Sequence, residues 1–63
     1  MIKWIWNLEK TKVVEVSKLR NFSISNEGGT FKVIAWFSDR ETLQIGQFLS
    51  LDAAQRFLLD ILD

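Results

Sequence analysis

The sequence predicts a single α+β domain in which an antiparallel sheet of four to five strands packs one face against a C-terminal helix. Several short segments alternate apolar with polar residues and are rich in β-branched and aromatic side chains, which is typical of half-buried strands. After Ser50 the apolar residues recur at helical spacing, which indicates an amphipathic helix. With 63 residues, the chain is short enough for residues 1–63 to form one domain.

Five segments fit the strand pattern, and turn-forming residues separate them. In chain order they are residues 2–7, 12–16, 20–25, 30–37 and 42–48. Residues 8–11 are expected to reverse the chain after the first strand. The strongest turn signal is Gly28-Gly29, because glycine readily adopts the positive φ of hairpin turns. A second hairpin turn is expected at Asp39-Arg40.

The lengths of these turns predict which side chains share a face of the sheet. A four-residue loop at 26–29 would set the register of the central hairpin. A two-residue turn at Asp39-Arg40 would pair the last two strands so that Trp36 lies opposite Leu43. One face would then carry polar residues around an apolar centre composed of Ile34, Trp36, Leu43 and Ile45.

Residues 51–62 are predicted to form the helix that covers the other face. Ser50 is a suitable N-cap, and Asp52 in the first turn complements the helix dipole. The small residues Ala35 and Gly46 are expected to leave room on the sheet for this helix. The apolar side of the helix consists of Leu51, Ala54, Phe57, Leu58, Ile61 and Leu62.

The composition argues against enzymatic and cofactor-dependent functions. The chain has neither histidine nor cysteine, so most metal sites, cysteine nucleophiles and the Ser-His-Asp relay are excluded. The acidic residues Asp39, Glu41 and Asp52 are explained by a turn and a helix start, without acid/base catalysis. We therefore expect no cofactor, no metal and no enzymatic activity. Because no signal peptide, membrane span or cysteine is visible, a cytoplasmic location is expected.

One helix covers only one face of a sheet, so the second face needs another partner. Either the first hairpin, with Trp4 and Trp6, folds over that face, or the face is exposed and binds a protein. The chain has three tryptophans, a residue type enriched in interface hot spots, and this favours protein binding. A two-fold homodimer centred near Trp36 is the expected form, with a host protein as a further partner. The predicted contact residues are Trp4, Trp6, Lys32, Ile34, Trp36, Leu43 and Ile45.

Charge is balanced over the whole chain but is distributed unevenly along it. Residues 1–20 carry five lysines and arginines against two glutamates, whereas residues 21–63 carry three basic against six acidic side chains. The difference is explained either by ordinary scatter on a solvated surface or by a dipolar molecule that orients toward a charged partner.

The segment from Gly29 to Ala54 resembles two groups of proteins. Its run of strand, Asp turn, strand with Gly46-Gln47-Phe48, and helix start resembles small uncharacterised strand-rich proteins with a C-terminal helix from Gram-positive bacteria and their phages. That resemblance also covers the Trp-rich start of the chain. It implies an accessory protein of a phage or mobile element, one that inhibits or regulates a host protein.

Residues 28–62 are also similar to the arm-binding N-terminal domain of integrases, a three-stranded sheet packed on a C-terminal helix. The similarity lies in residues at fold positions, namely Gly29, Phe31, Val33, Gly46, Phe48, Ser50 and Ala54. It implies DNA binding through the open sheet face as the alternative function. On that face Lys32 is the only expected cation, whereas phosphate contacts need several lysines or arginines.

Overall fold

The computed structural model describes residues 3–62 and has a small α+β fold of two antiparallel sheets and one C-terminal helix. Residue Ile2, where the first strand is predicted to begin, lies outside the described residues. A short 3-10 helix at Val16–Lys18 follows the second strand. The strands and helix are β1 (Trp4–Trp6), β2 (Val13–Glu15), β3 (Asn21–Glu27), β4 (Thr30–Trp36), β5 (Thr42–Phe48) and α1 (Leu51–Leu62).

The strands form two sheets, which corrects the prediction of one sheet of four to five strands. β1 pairs only with β2, and the second sheet has the order β3-β4-β5. A backbone hydrogen bond links the end of the first strand to the larger sheet: the N–H of Leu8, two residues after β1, donates to the Gln44 carbonyl of β5 (2.9 Å). Ile5 of the β1–β2 hairpin packs against the core, and the two strands pair only with each other, so the hairpin does not extend the larger sheet.

The β3–β4 hairpin has a tighter turn than predicted. Gly28 and Gly29, with φ of 57° and 85°, form a two-residue turn that pairs Glu27 with Thr30. The predicted loop at 26–29 is therefore two residues too long. A shift of two residues leaves every side chain on its predicted face, whereas a shift of one would reverse the faces.

The β4–β5 hairpin departs from its predicted register near the turn. The Ser38 Oγ accepts hydrogen bonds from the N–H groups of Arg40 (3.3 Å) and Glu41 (3.2 Å), which makes a three-residue loop. Trp36 therefore lies opposite Thr42, and the predicted pairs Trp36–Leu43 and Ile34–Ile45 are wrong. A β-bulge between Val33 and Ile34 restores the predicted register further along the hairpin, where Val33 pairs with Gly46.

The core lies between the β3–β4–β5 sheet and α1. Its buried residues are Val33, Ala35, Ile45, Ala54 and Ile61. A Cβ added at Gly46 would lie 2.8 Å from Cε2 of Phe48 and 3.2 Å from Cε2 of Phe57, so the close approach of α1 requires glycine. The rings of Phe48 and Phe57 pack in a tilted pair with centroids 5.2 Å apart. The prediction that small residues make room for the helix is confirmed.

Side chains satisfy backbone groups at both ends of α1. The Ser50 Oγ accepts the Ala53 N–H (3.1 Å), which confirms Ser50 as the N-cap. At the other end, Lys3 Nζ donates to the Ile61 carbonyl (3.0 Å) and places a positive charge at the negative end of the helix dipole. This bond also ties the hairpin strand β1 to the helix.

The substitution Ile61→Ala is expected to lower the free energy of unfolding by about 2 to 4 kcal/mol, because it leaves a cavity where α1 meets the sheet and hairpin. Urea denaturation followed by circular dichroism measures this change. The control is Leu59→Ala on the same helix, where the leucine is 64% exposed and the change should stay within about 0.5 kcal/mol. Equal losses in the two variants would contradict the described orientation of α1.

Candidate protein-binding surface

The short β1–β2 hairpin has one inward side and one outward side. Its register pairs Trp4 with Glu15, Ile5 with Val14, and Trp6 with Val13. Successive residues of a strand point to opposite faces, so the Ile5–Val14 pair lies on one side and both tryptophans lie on the other. Val14 is buried and Ile5 packs against the core, which forces the tryptophans outward.

Three large apolar side chains are exposed together on the outward side of the hairpin. Trp4 is 58% exposed, Trp6 is 54% exposed, and Val13, opposite Trp6, is 38% exposed. We call Trp4, Trp6 and Val13 the tryptophan surface. Tryptophan is a residue type that usually buries most of its area, so two half-exposed indoles on one three-residue strand are informative.

Lysines flank the tryptophan surface at both ends. Lys18 lines a shallow depression together with Trp4 and Val13, and Lys10 lines another together with Trp6. The hairpin also carries the acidic residue Glu15 directly opposite Trp4. Lys3 and the carboxylate of Asp60 line a third depression together with Trp4. The surface thus combines an aromatic centre with three lysines and two carboxylates around it.

The side chain of Asn7 bridges the turn of the hairpin and adds to the two backbone hydrogen bonds that join Asn7 to Lys10 and Lys12. Asn7 Oδ1 accepts the N–H groups of Thr11 (2.8 Å) and Lys12 (3.1 Å), and its amide nitrogen donates to the Thr11 hydroxyl (3.0 Å). Lys10 takes a positive φ of 58° inside this turn. These bonds fix the two strands in register and keep both indoles on the same side.

Three of the predicted contact residues lie on the outer face of the larger sheet, which is the face turned away from α1. Ile34, Trp36 and Lys32 are half-buried there. The indole N–H of Trp36 donates to the Ser23 Oγ (3.0 Å), and Lys32 Nζ forms a salt bridge with Glu27 (3.0 Å). The apolar centre of this face is therefore small, and its lysine is already paired.

Leu43 and Ile45 lie on the helix side, so the prediction that they share a face with Trp36 is wrong. The three-residue loop at 38–40 shifts Leu43 opposite Ala35, and the bulge turns Ile45 into the core. The alternative that the first hairpin folds over the Trp36 face is also wrong. Ile5 of the hairpin packs instead beside Ile61, on the helix side.

The seven predicted contact residues thus fall into three separate places, and only Trp4 and Trp6 form an exposed apolar cluster. Sequence reasoning misses Val13, although pairing residues 4–6 with 13–15 around the Asn7 turn would place it beside Trp6. It also misses the exposed leucines of α1 as a group, because helical spacing assigns Leu51 and Leu62 to the core side.

The described residues show two further features that bear on function. Among residues 3–62, no cluster of three or more acidic side chains is arranged to hold a metal ion. The one α-helix of this part of the chain is too short to cross a membrane. Comparisons with protein-family models, with curated proteins and with solved structures found no match.

The three tryptophans are expected to differ in their access to solvent. In variants that retain a single tryptophan, with the other two changed to Phe, acrylamide should quench Trp4 and Trp6 more steeply than Trp36. The indole of Trp36 is half-buried and hydrogen-bonded to Ser23, whereas those of Trp4 and Trp6 are exposed. Stern–Volmer slopes give the comparison, and a slope for Trp36 as steep as the other two would contradict the placement.

Proposed function

We propose that the chain is a protein-binding module and that the tryptophan surface is its contact site. The observation that carries this proposal is the exposure of Trp4 and Trp6 on one side of a hairpin whose other side is packed. Indoles present a large rigid area with little rotamer entropy to lose, and they are enriched among residues that dominate binding energy.

The charges around the tryptophan surface favour one class of partner. Three lysines (Lys3, Lys10 and Lys18) and two carboxylates (Glu15 and Asp60) line the depressions beside the indoles, a surplus of one positive charge. An apolar or aromatic peptide segment with flanking acidic residues would be complementary to that surplus. Such rim charges mainly speed association and select the partner, while the indoles provide most of the affinity. The resemblance of the sequence to small phage proteins supports a host protein as the partner that carries such a segment.

DNA binding is the second candidate, because the outer face of the three-stranded sheet is not covered by α1 or by the hairpin. That face carries Lys32 in a salt bridge with Glu27, so the two charges cancel. Duplex binding depends on releasing counterions from several phosphates, which needs a group of unpaired cations. The charge of this face therefore favours protein binding over DNA binding.

Peptide selection tests the proposed function directly on the tryptophan surface. A random peptide library is panned on the wild-type chain and counter-selected on the Trp4→Ala/Trp6→Ala variant. Enriched peptides should be acidic with apolar or aromatic centres. Their affinity, measured by fluorescence anisotropy, should fall at least about 30-fold in the double variant, as expected for loss of a hot spot of about 2 kcal/mol or more.

Two controls make this experiment decisive. Leu59→Ala removes an exposed apolar side chain on the helix and should leave peptide affinity unchanged. A labelled DNA duplex titrated at two salt concentrations tests the second candidate. Failure to enrich peptides, equal affinity in the double variant, or tight duplex binding that weakens steeply with salt would each overturn the proposed function.

A further inference from the structure

The strand β3 forms an edge of the larger sheet. Among residues 3–62, no strand pairs with its outer side. Hydrogen-bonded and non-bonded pairs alternate along an antiparallel ladder, and the pair that closes a two-residue turn, here Glu27 and Thr30, is hydrogen-bonded. It follows that the N–H and C=O groups of Phe22, Ile24 and Asn26 point outward from the sheet.

The two edges of this sheet are protected differently. The β5 edge is bulged near Ile45, and the hairpin covers part of it through the Leu8–Gln44 hydrogen bond. Bulges, prolines and lysines are the usual devices that prevent an edge from pairing. β3 has seven residues without proline or lysine, and its pairing with β4 is regular from Asn21 to Glu27.

The apolar side of β3 is incompletely covered. α1 packs over β4 and β5, so Phe22 and Ile24, which point to the helix side, remain half-buried. The flank of α1 that meets the hairpin carries Phe57 and Ile61. The opposite flank of α1 carries three leucines, of which two are exposed and one half-buried: Leu51, Leu62 and Leu58.

We propose that β3 pairs antiparallel with β3 of a second copy of the chain, which joins two three-stranded sheets into one sheet of six. A two-fold axis perpendicular to the sheet keeps the helix sides of both copies on the same face. A register centred on Ser23 then places Phe22 of each copy opposite Ile24 of the other. Both residues use their outward N–H and C=O groups in this pairing.

Charge complementarity favours a second copy as the partner of this edge. β3 is preceded by Arg20 and ends at Glu27, and both side chains are exposed. Lys32 contacts only Oε2 of the Glu27 carboxylate, which is 64% exposed, so Oε1 remains accessible to an arginine of another chain. Antiparallel pairing brings the Arg20 end of one strand to the Glu27 end of the other at both ends of the interface. Parallel pairing would instead place like charges together, so the strand specifies its own antiparallel partner.

The test combines solution mass with amide exchange on the wild-type chain. Light scattering from micromolar to millimolar concentration should show a monomer converting to a dimer. Over the same range, hydrogen exchange followed by NMR should show new protection at the amides of Phe22, Ile24 and Asn26. A monomer at all concentrations, or a dimer in which these three amides stay unprotected, would overturn the proposal.

Substitutions at the edge provide an independent arm. Asn26→Pro removes an outward N–H, which an edge strand tolerates, and should abolish dimerisation while the circular dichroism spectrum is retained. Arg20→Glu places like charges at both ends and should raise the dimer Kd at least about tenfold. Arg40→Glu, the same charge change in the exposed 38–40 loop, is the control and should leave the Kd unchanged.

The tryptophan surface and the β3 edge are tested separately. Trp4→Ala/Trp6→Ala should lose peptide binding but keep the dimer, because the hairpin lies on the β5 side of the molecule. Loss of the dimer in this double variant, with Arg20→Glu still dimeric, would assign self-association to the hairpin and overturn the pairing of β3.

Discussion

The close contact between α1 and the sheet at Gly46 is the constraint on which the rest of the structure depends. The described residues, 3–62, contain one α-helix, α1. Because Gly46 has no side chain, the rings of Phe48 and Phe57 occupy the space beside it, and α1 lies directly on β4 and β5. The β1–β2 hairpin then packs beside the helix. There Lys3 Nζ donates a hydrogen bond to the Ile61 carbonyl, and Ile5 packs against the core. Apolar side chains that α1 and the hairpin do not cover remain exposed. These are the tryptophan surface and the residues along β3, and binding is expected there.

The packing of the hairpin explains why its tryptophans face solvent. Strand residues alternate in direction, so burying Ile5 and Val14 turns Trp4 and Trp6 outward with no further interaction required. Burying both apolar cross-strand pairs, Ile5–Val14 and Trp6–Val13, would stabilise a small core. The two pairs lie on opposite sides of the hairpin, however, and only one side packs against the core. The exposed indoles are therefore a consequence of how the core is completed, and they are available for a partner at no cost in packing.

Much of the fold follows from periodicity, and its failures have local causes. The helix bounds and the strand β5 agree with the sequence prediction, and Ser50 marks the helix start because its hydroxyl caps a backbone N–H. The register of β4 with β5 could not be predicted, because the Ser38 hydroxyl and the bulge at Val33/Ile34 leave no trace in the apolar pattern. The position of the hairpin is likewise set by tertiary packing. Trp4 and Trp6 are predicted as contact residues from their residue type alone. The predicted register of β4 with β5 places Leu43 and Ile45 on the Trp36 face, whereas both lie on the helix side.

The central claim is that the hairpin and the helix share one face of the sheet, with Ile5 packed beside Ile61. A double-mutant cycle tests it most directly: urea unfolding of the wild type, Ile5→Ala, Ile61→Ala and the double variant. Residues in contact within a shared core should show a coupling energy of about 0.5 to 3 kcal/mol. Additive losses, with a coupling energy indistinguishable from zero, would show that the hairpin lies elsewhere and would remove the reason for the exposure of Trp4 and Trp6.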